Sequence, residues 1–106
     1  MIDWTDITGI QWDDANTAKN HDKHGIGCPE TESVFLAADL RVLEDLKHST
    51  PAEIRWHAFG SSSHQRPLAI TFTIRHPLIR IIRIIRIIRI ISARPMNSRE
   101  RKSYGY

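Results

Sequence analysis

The sequence predicts an α+β domain with two N-terminal helices, a four-stranded antiparallel meander sheet and a C-terminal helix. Three observations carry this. Helix formers dominate before Asp39, the apolar pattern changes to a period of two after it, and a helix start recurs at Asn97. At 106 residues the chain can bury one modest core and not two, so a single domain over residues 1–106 is expected. Its hydrophobic fraction of 41% and charged fraction of 25% are ordinary for a globular protein.

Residues 1–11 give no periodic signal, and Trp4 and Trp12 are suited to covering the ends of a core. From Asp13 the pattern turns helical. Asp13 can cap, Asp14 suits the positive helix start, and Ala15, Ala18 and Lys19 lead towards Gly25, which predicts a helix over 14–23. A second short helix is expected after Pro29, with Val34, Phe35 and Ala38 spaced for burial. Residues 40–44 and 53–59 read as strands around a turn containing Ser49 and Pro51. In the second of these, Arg55, His57 and Phe59 share a face. Residues 67–75 alternate cleanly, with Leu68, Ile70, Phe72 and Ile74 on one side, the mark of a half-buried antiparallel strand.

The Ile-Ile-Arg run that follows is expected to supply the fourth strand over 79–92, since isoleucine is β-branched and the preceding strand needs a partner. Its triplet period fits neither a strand nor a helix. Arg80 and Arg86 would fall on one strand face, Arg83 and Arg89 on the other. A transmembrane span is excluded, because several arginines would enter the bilayer core at roughly 3 kcal/mol each. Asn97-Ser98-Arg99-Glu100 has the form of a capping box, and the last helix should reach about Tyr104.

Charge is segregated. Residues 1–45 carry ten acids against three bases, whereas residues 75–106 carry eight arginines and Lys102 against Glu100 alone. A basic C-terminal third suits a polyanionic partner, although the two halves could also neutralise each other within the fold. The single cysteine, Cys28, allows no internal disulfide, in keeping with a reducing compartment. The N-terminal stretch lacks the basic and apolar regions of a secretory signal.

Trp12-Asp13, Lys19-Asn20 and Lys23-His24-Gly25-Ile26 now combine with Glu32, Val34-Phe35, Asp45, His48-Ser49, Glu53, Arg55-Trp56 and Gly60. Thr73-Ile74-Arg75, Ile88 to Met96, Arg99-Glu100-Arg101 and Tyr104 complete the set. In this order the chain resembles the BrnT toxins of bacterial type II toxin–antitoxin systems, small ribonucleases of RelE-like fold. The resemblance implies a cytoplasmic RNA endonuclease that inhibits translation and works without metal or cofactor. It also implies a cognate BrnA-like ribbon-helix-helix antitoxin as partner, with operator DNA reached only through that antitoxin, and no membrane. The chain departs from the family pattern in its run. Removing nine residues would restore the family spacing, so a triplet expansion within 80–91 is expected. An alternative remains: a non-catalytic protein that binds nucleic acid or the antitoxin, its toxin activity lost through the expansion.

Cleavage of RNA by its own 2′-hydroxyl needs a base, a proton donor for the leaving oxygen and cations for the phosphorane. The candidate catalytic residues are Lys23 and His24 at a helix end, and Arg55, Arg75 and Arg94 from strands. Candidate RNA contacts are His48 in a turn, Arg89, and Arg101 and Tyr104, three apart on the last helix. Each has a structural alternative. His24 suits a helix C-terminus, Arg55 and Arg75 could pair with Glu53 or Asp45, and Glu100 could simply cap its helix. His21, His24 and Cys28 lack a fourth ligand, so no metal site is expected.

Overall fold

The computed structural model describes residues 4, 7–12, 23–75, 78–79, 83–84 and 86–106. Its main sheet has five strands, side by side in the order β1 (Ile7–Trp12), β7 (Arg86–Pro95), β4 (Pro67–Arg75), β3 (Arg55–Ser61) and β2 (Arg41–Glu44). All neighbours are antiparallel except β1 and β7, which run parallel. Strands β5 (Leu78–Ile79) and β6 (Arg83–Ile84) pair with each other in a separate small sheet. The described helices are α1 (Cys28–Val34) and α2 (Ser98–Tyr104).

This corrects the expected fold class of two N-terminal helices, a four-stranded antiparallel meander and a C-terminal helix. The sheet is mixed and has five strands, because the N-terminal segment that reads as irregular is β1. Its register shifts between Ile7 and Gly9, which lets Ile7 and Ile10, three residues apart, pack on one core. An odd spacing like this erases the period-two signal. The helix expected over 14–23 lies outside the described residues apart from Lys23, which with His24 is helical; Gly25 follows at φ 66°, the left-handed position that glycine tolerates best. The fourth strand expected over 79–92 is also corrected, since among the described residues of the run only Arg86–Pro95 joins the main sheet.

A second irregularity, on β7, reconciles the triplet period with a strand. Thr71 faces Ser92 and Phe72 faces Ile90, so Ile91 is the extra residue. Ile88, Ile90 and Ala93 are consequently all buried, at 2%, 0% and 1% exposure, although the last step is odd. They join Leu68, Ile70, Phe72, Ala58, Ile26 and Val34 in the larger core, beneath α1. Helix α1 sits close: a Cβ on Gly60 would stand 3.1 Å from a Val34 methyl.

The opposite face carries a smaller core of Phe59, Ala69 and Met96, with Tyr104 and Tyr106 packed on it from α2 and the residues after it. The expected capping box is present: the Asn97 side chain accepts from the Glu100 amide at 2.8 Å, and Glu100 accepts from the Asn97 amide at 3.0 Å. The Tyr106 hydroxyl donates to the carbonyls of Asp39 and Phe59, tying the chain end across the sheet.

The start of the run forms the β5–β6 pair, with Leu78 opposite Ile84 and Ile79 opposite Arg83. Deleting residues 80–88 would join Ile79 directly to Arg89 and keep an isoleucine opposite Ile74. We expect this deletion to raise the melting temperature or the soluble yield; unchanged values of both would count against it.

Candidate active site

The register stacks polar side chains in rows on the face that α2 only partly covers. One row runs Gln11, Arg89, Thr73, Arg55 across β1, β7, β4 and β3. The next runs Ser92, Thr71, His57, Leu43, and the third Arg94, Ala69, Phe59, Arg41. Helix α2 closes over the third row, so the first two border its edge. Arg75 continues this face beyond Thr73 and is exposed.

His57 stands at the centre. Its Nδ1 is 3.1 Å from the Thr71 hydroxyl, and its Nε2 is 3.1 Å from Asp45 Oδ2. Asp45 follows β2 directly and its amide donates to the Arg55 carbonyl, which delivers the carboxylate to this face. A short turn fixes it there. The amides of His48 and Ser49 donate to the Asp45 carbonyl, the His48 amide also reaches Asp45 Oδ1 at 3.2 Å, and the Ser49 hydroxyl closes the loop on Arg55. The His48 ring completes the group, with Nδ1 2.8 Å from Asp45 Oδ2. Burial pushes the Asp45 carboxyl up, but hydrogen bonds from the His48 ring and amide and the nearby His57 outweigh it, and the net shift is downward.

Arg94 reaches back over the third row to Glu100, with Nη1–Oε1 at 2.6 Å and Nη2–Oε2 at 2.8 Å. Glu100 thus caps its helix and holds Arg94 at once. Its carboxyl is lowered chiefly by Arg94, with the Asn97 amide and the charge of His57 adding to this against the effect of burial.

Of the sequence candidates, Arg55, Arg75, Arg89 and Arg94 are brought onto one face, and His48 joins them through Asp45. Lys23 and His24 lie elsewhere: the His24 and Gly25 carbonyls accept from Arg66 at the β3–β4 turn, beside α1. Arg101 bends back to the Met96 carbonyl at 2.8 Å and the Ser98 hydroxyl at 3.3 Å. Tyr104 stacks on Phe59, ring centroids 4.5 Å apart, so its ring serves the small core. Sequence reasoning missed His57 and Asp45 as site residues. Alternation alone places His57 beside Arg55, and that signal was sufficient to nominate it.

An imidazole held by a carboxylate, bordered by arginines on an open sheet face, defines a small basic protein equipped to grip a phosphodiester and move a proton beside it. The family model described as "Ribonuclease toxin, BrnT, of type II toxin-antitoxin system" matches residues 12–100, and the chain belongs to this family. A comparison with curated proteins finds no match. The matched region takes in β2 to β7 and the start of α2, and hence Arg55, His57, Arg89, Arg94 and Asp45. No helix among the described residues is long and apolar enough to cross a membrane.

Proposed function

We propose that the chain is an endoribonuclease toxin that cuts RNA on the face bearing Arg55, His57, Arg89 and Arg94. The observation that carries this is His57, held between the Asp45 carboxylate and the Thr71 hydroxyl with arginines in the rows on either side. The attacking 2′-hydroxyl takes the place of the Thr71 hydroxyl at His57 Nδ1, which accepts its proton as that oxygen bonds phosphorus. The bond from phosphorus to the 5′-oxygen then breaks, the departing oxygen takes a proton from water, and His57 returns its proton to the hydroxide left behind. Arg55, Arg89 and Arg94 offset the charge of the phosphorane, with Arg94 exchanging Glu100 for phosphate. Arg75 extends the cationic face along the RNA strand. Lys23 and His24 have no part in this scheme, given their place beside the β3–β4 turn.

The chemistry needs no metal. A cognate ribbon-helix-helix antitoxin of BrnA type neutralises the toxin, and the pair represses its own operon through the antitoxin's grip on DNA. The test is to incubate the purified chain with a defined RNA in EDTA. The expected products end in a 2′,3′-cyclic phosphate and a 5′-hydroxyl. Salt-dependent binding without cleavage would support instead a non-catalytic role as an RNA-binding or antitoxin-binding protein.

A further inference from the structure

The two oxygens of Asp45 have different duties. Oδ1 accepts the His48 backbone amide, and Oδ2 meets two imidazole nitrogens, His57 Nε2 at 3.1 Å and His48 Nδ1 at 2.8 Å. An ionised carboxylate oxygen has no hydrogen to give and repels a nitrogen lone pair, so the nitrogen each ring turns towards it carries the hydrogen, His48 Nδ1 in a hydrogen bond and His57 Nε2 in an ion-pair contact. In neutral His57 the lone pair then lies on Nδ1, facing the Thr71 hydroxyl. Thr71 cannot choose the tautomer, because a hydroxyl donates or accepts equally well. Other charged groups reach this ring as fields: Arg55 from its own strand, Arg89 and Arg94 from β7, and Glu100 from α2. Asp45 stands nearest as a charged partner, within ion-pair reach of Nε2 and itself only 10% exposed.

We infer that Asp45 is a positioning residue which fixes His57 as the Nε2–H tautomer, so that the lone pair lies on Nδ1, where the RNA 2′-hydroxyl takes the place of the Thr71 hydroxyl and gives up its proton. This rests on the catalytic role proposed above for His57. Once Nδ1 is protonated, the same carboxylate steadies the imidazolium. His48 shares the oxygen and braces the carboxylate from the solvent side, where its own ring is 57% exposed. His57 lies on β3 and Asp45 beyond β2, so the pairing of these two strands sets the distance between them.

Asp45→Asn provides a test with a definite sign. The amide oxygen keeps the His48 backbone hydrogen bond, which places the Asn NH2 where Oδ2 was. That group can only donate, so His57 Nε2 must become an acceptor and the hydrogen moves to Nδ1. Long-range 1H–15N spectra of the free protein, recorded at about pH 8, above the ordinary histidine range, should show the Nε2–H pattern in the parent. The Asn variant should show Nδ1–H, and His48→Gln should leave Nε2–H in place. Cleavage by the Asn variant should lose on the order of 10²-fold or more in kcat with KM changed by less than about 3-fold. An Nδ1–H pattern in the parent, or an unchanged tautomer in the folded Asn variant, would overturn the inference. Failure of the catalytic reading looks different: the tautomer inverts as described, yet His57→Gln still cleaves RNA at the parent rate.

Discussion

His57→Gln and His57→Ala are expected to lose RNA cleavage by on the order of 10²–10⁴-fold, the usual contribution of a positioned general base. Glutamine keeps a polar side chain of similar length and offers Thr71 and Asp45 a partner, so the fold and the arginine rows should survive. Its amide cannot take the 2′-hydroxyl proton at neutral pH. Affinity for uncleaved RNA should therefore stay within a few-fold of the parent. Arg55→Ala should behave in the converse way. Arg55 sits across from Thr73, and its amide bond to Ser49 is a main-chain bond that alanine retains. Removing one guanidinium that touches phosphate should lower the slope of log affinity against log salt by about 0.7, the value for a contact to single-stranded nucleic acid. Single-turnover cleavage of a defined oligonucleotide, with binding measured at several salt concentrations, checks both. Full cleavage by His57→Gln would remove His57 from the mechanism.

What the sequence revealed depended on whether a feature was local. Strand β4 was legible to the residue, because Leu68, Ile70, Phe72 and Ile74 alternate without interruption, the first three buried and Ile74 half-buried. The start of α2 was legible because a capping box involves only Asn97 and Glu100. Strand β1 was not, because its register irregularity places Ile7 and Ile10 on one core. The same physics hid the true extent of β7, where the extra residue Ile91 shifts the buried series from Ile90 to Ala93. Arg55 and His57 could be placed on one face by alternation. That Asp45 would meet His57 follows only from the β2–β3 register, which pairs Leu43 with His57. Tyr104 had the correct helix and the correct neighbour in Arg101, yet the direction in which α2 lies across the sheet turns its ring onto Phe59. The double duty of Glu100 was likewise invisible, since its partner Arg94 lies on a strand whose end the sequence could locate but whose side chain it could not aim.

The largest stability effect is expected at Arg66, at the β3–β4 turn beside α1. Glu30 is 3% exposed, and the Arg66 guanidinium grips it with Nε to Oε2 and Nη2 to Oε1, both at 2.6 Å. The Ser62 hydroxyl adds a bond of 2.6 Å and the His64 ring stands 3.2 Å away. Through the same guanidinium the carbonyls of His24 and Gly25 are fastened to the β3–β4 turn. Arg66→Ala strands a buried carboxylate and should cost about 3 kcal/mol, the low end for breaking a buried pair, because Arg66 itself is about a third exposed. The Arg66 hydrogen bonds, helped by Ser62 and opposed by burial, hold the Glu30 carboxyl below its ordinary value. Its contribution is therefore complete above about pH 4.3, the unfolded glutamate value, and disappears as pH falls through the lower folded value. Urea unfolding should show the parent and Arg66→Ala far apart at pH 7 and converging below about pH 4. Glu30→Gln in the Arg66→Ala background should recover part of the loss at neutral pH, since the stranded charge is gone. Equal stabilities of the parent and the single variant at pH 7 would show that this clamp does not hold α1 to the sheet.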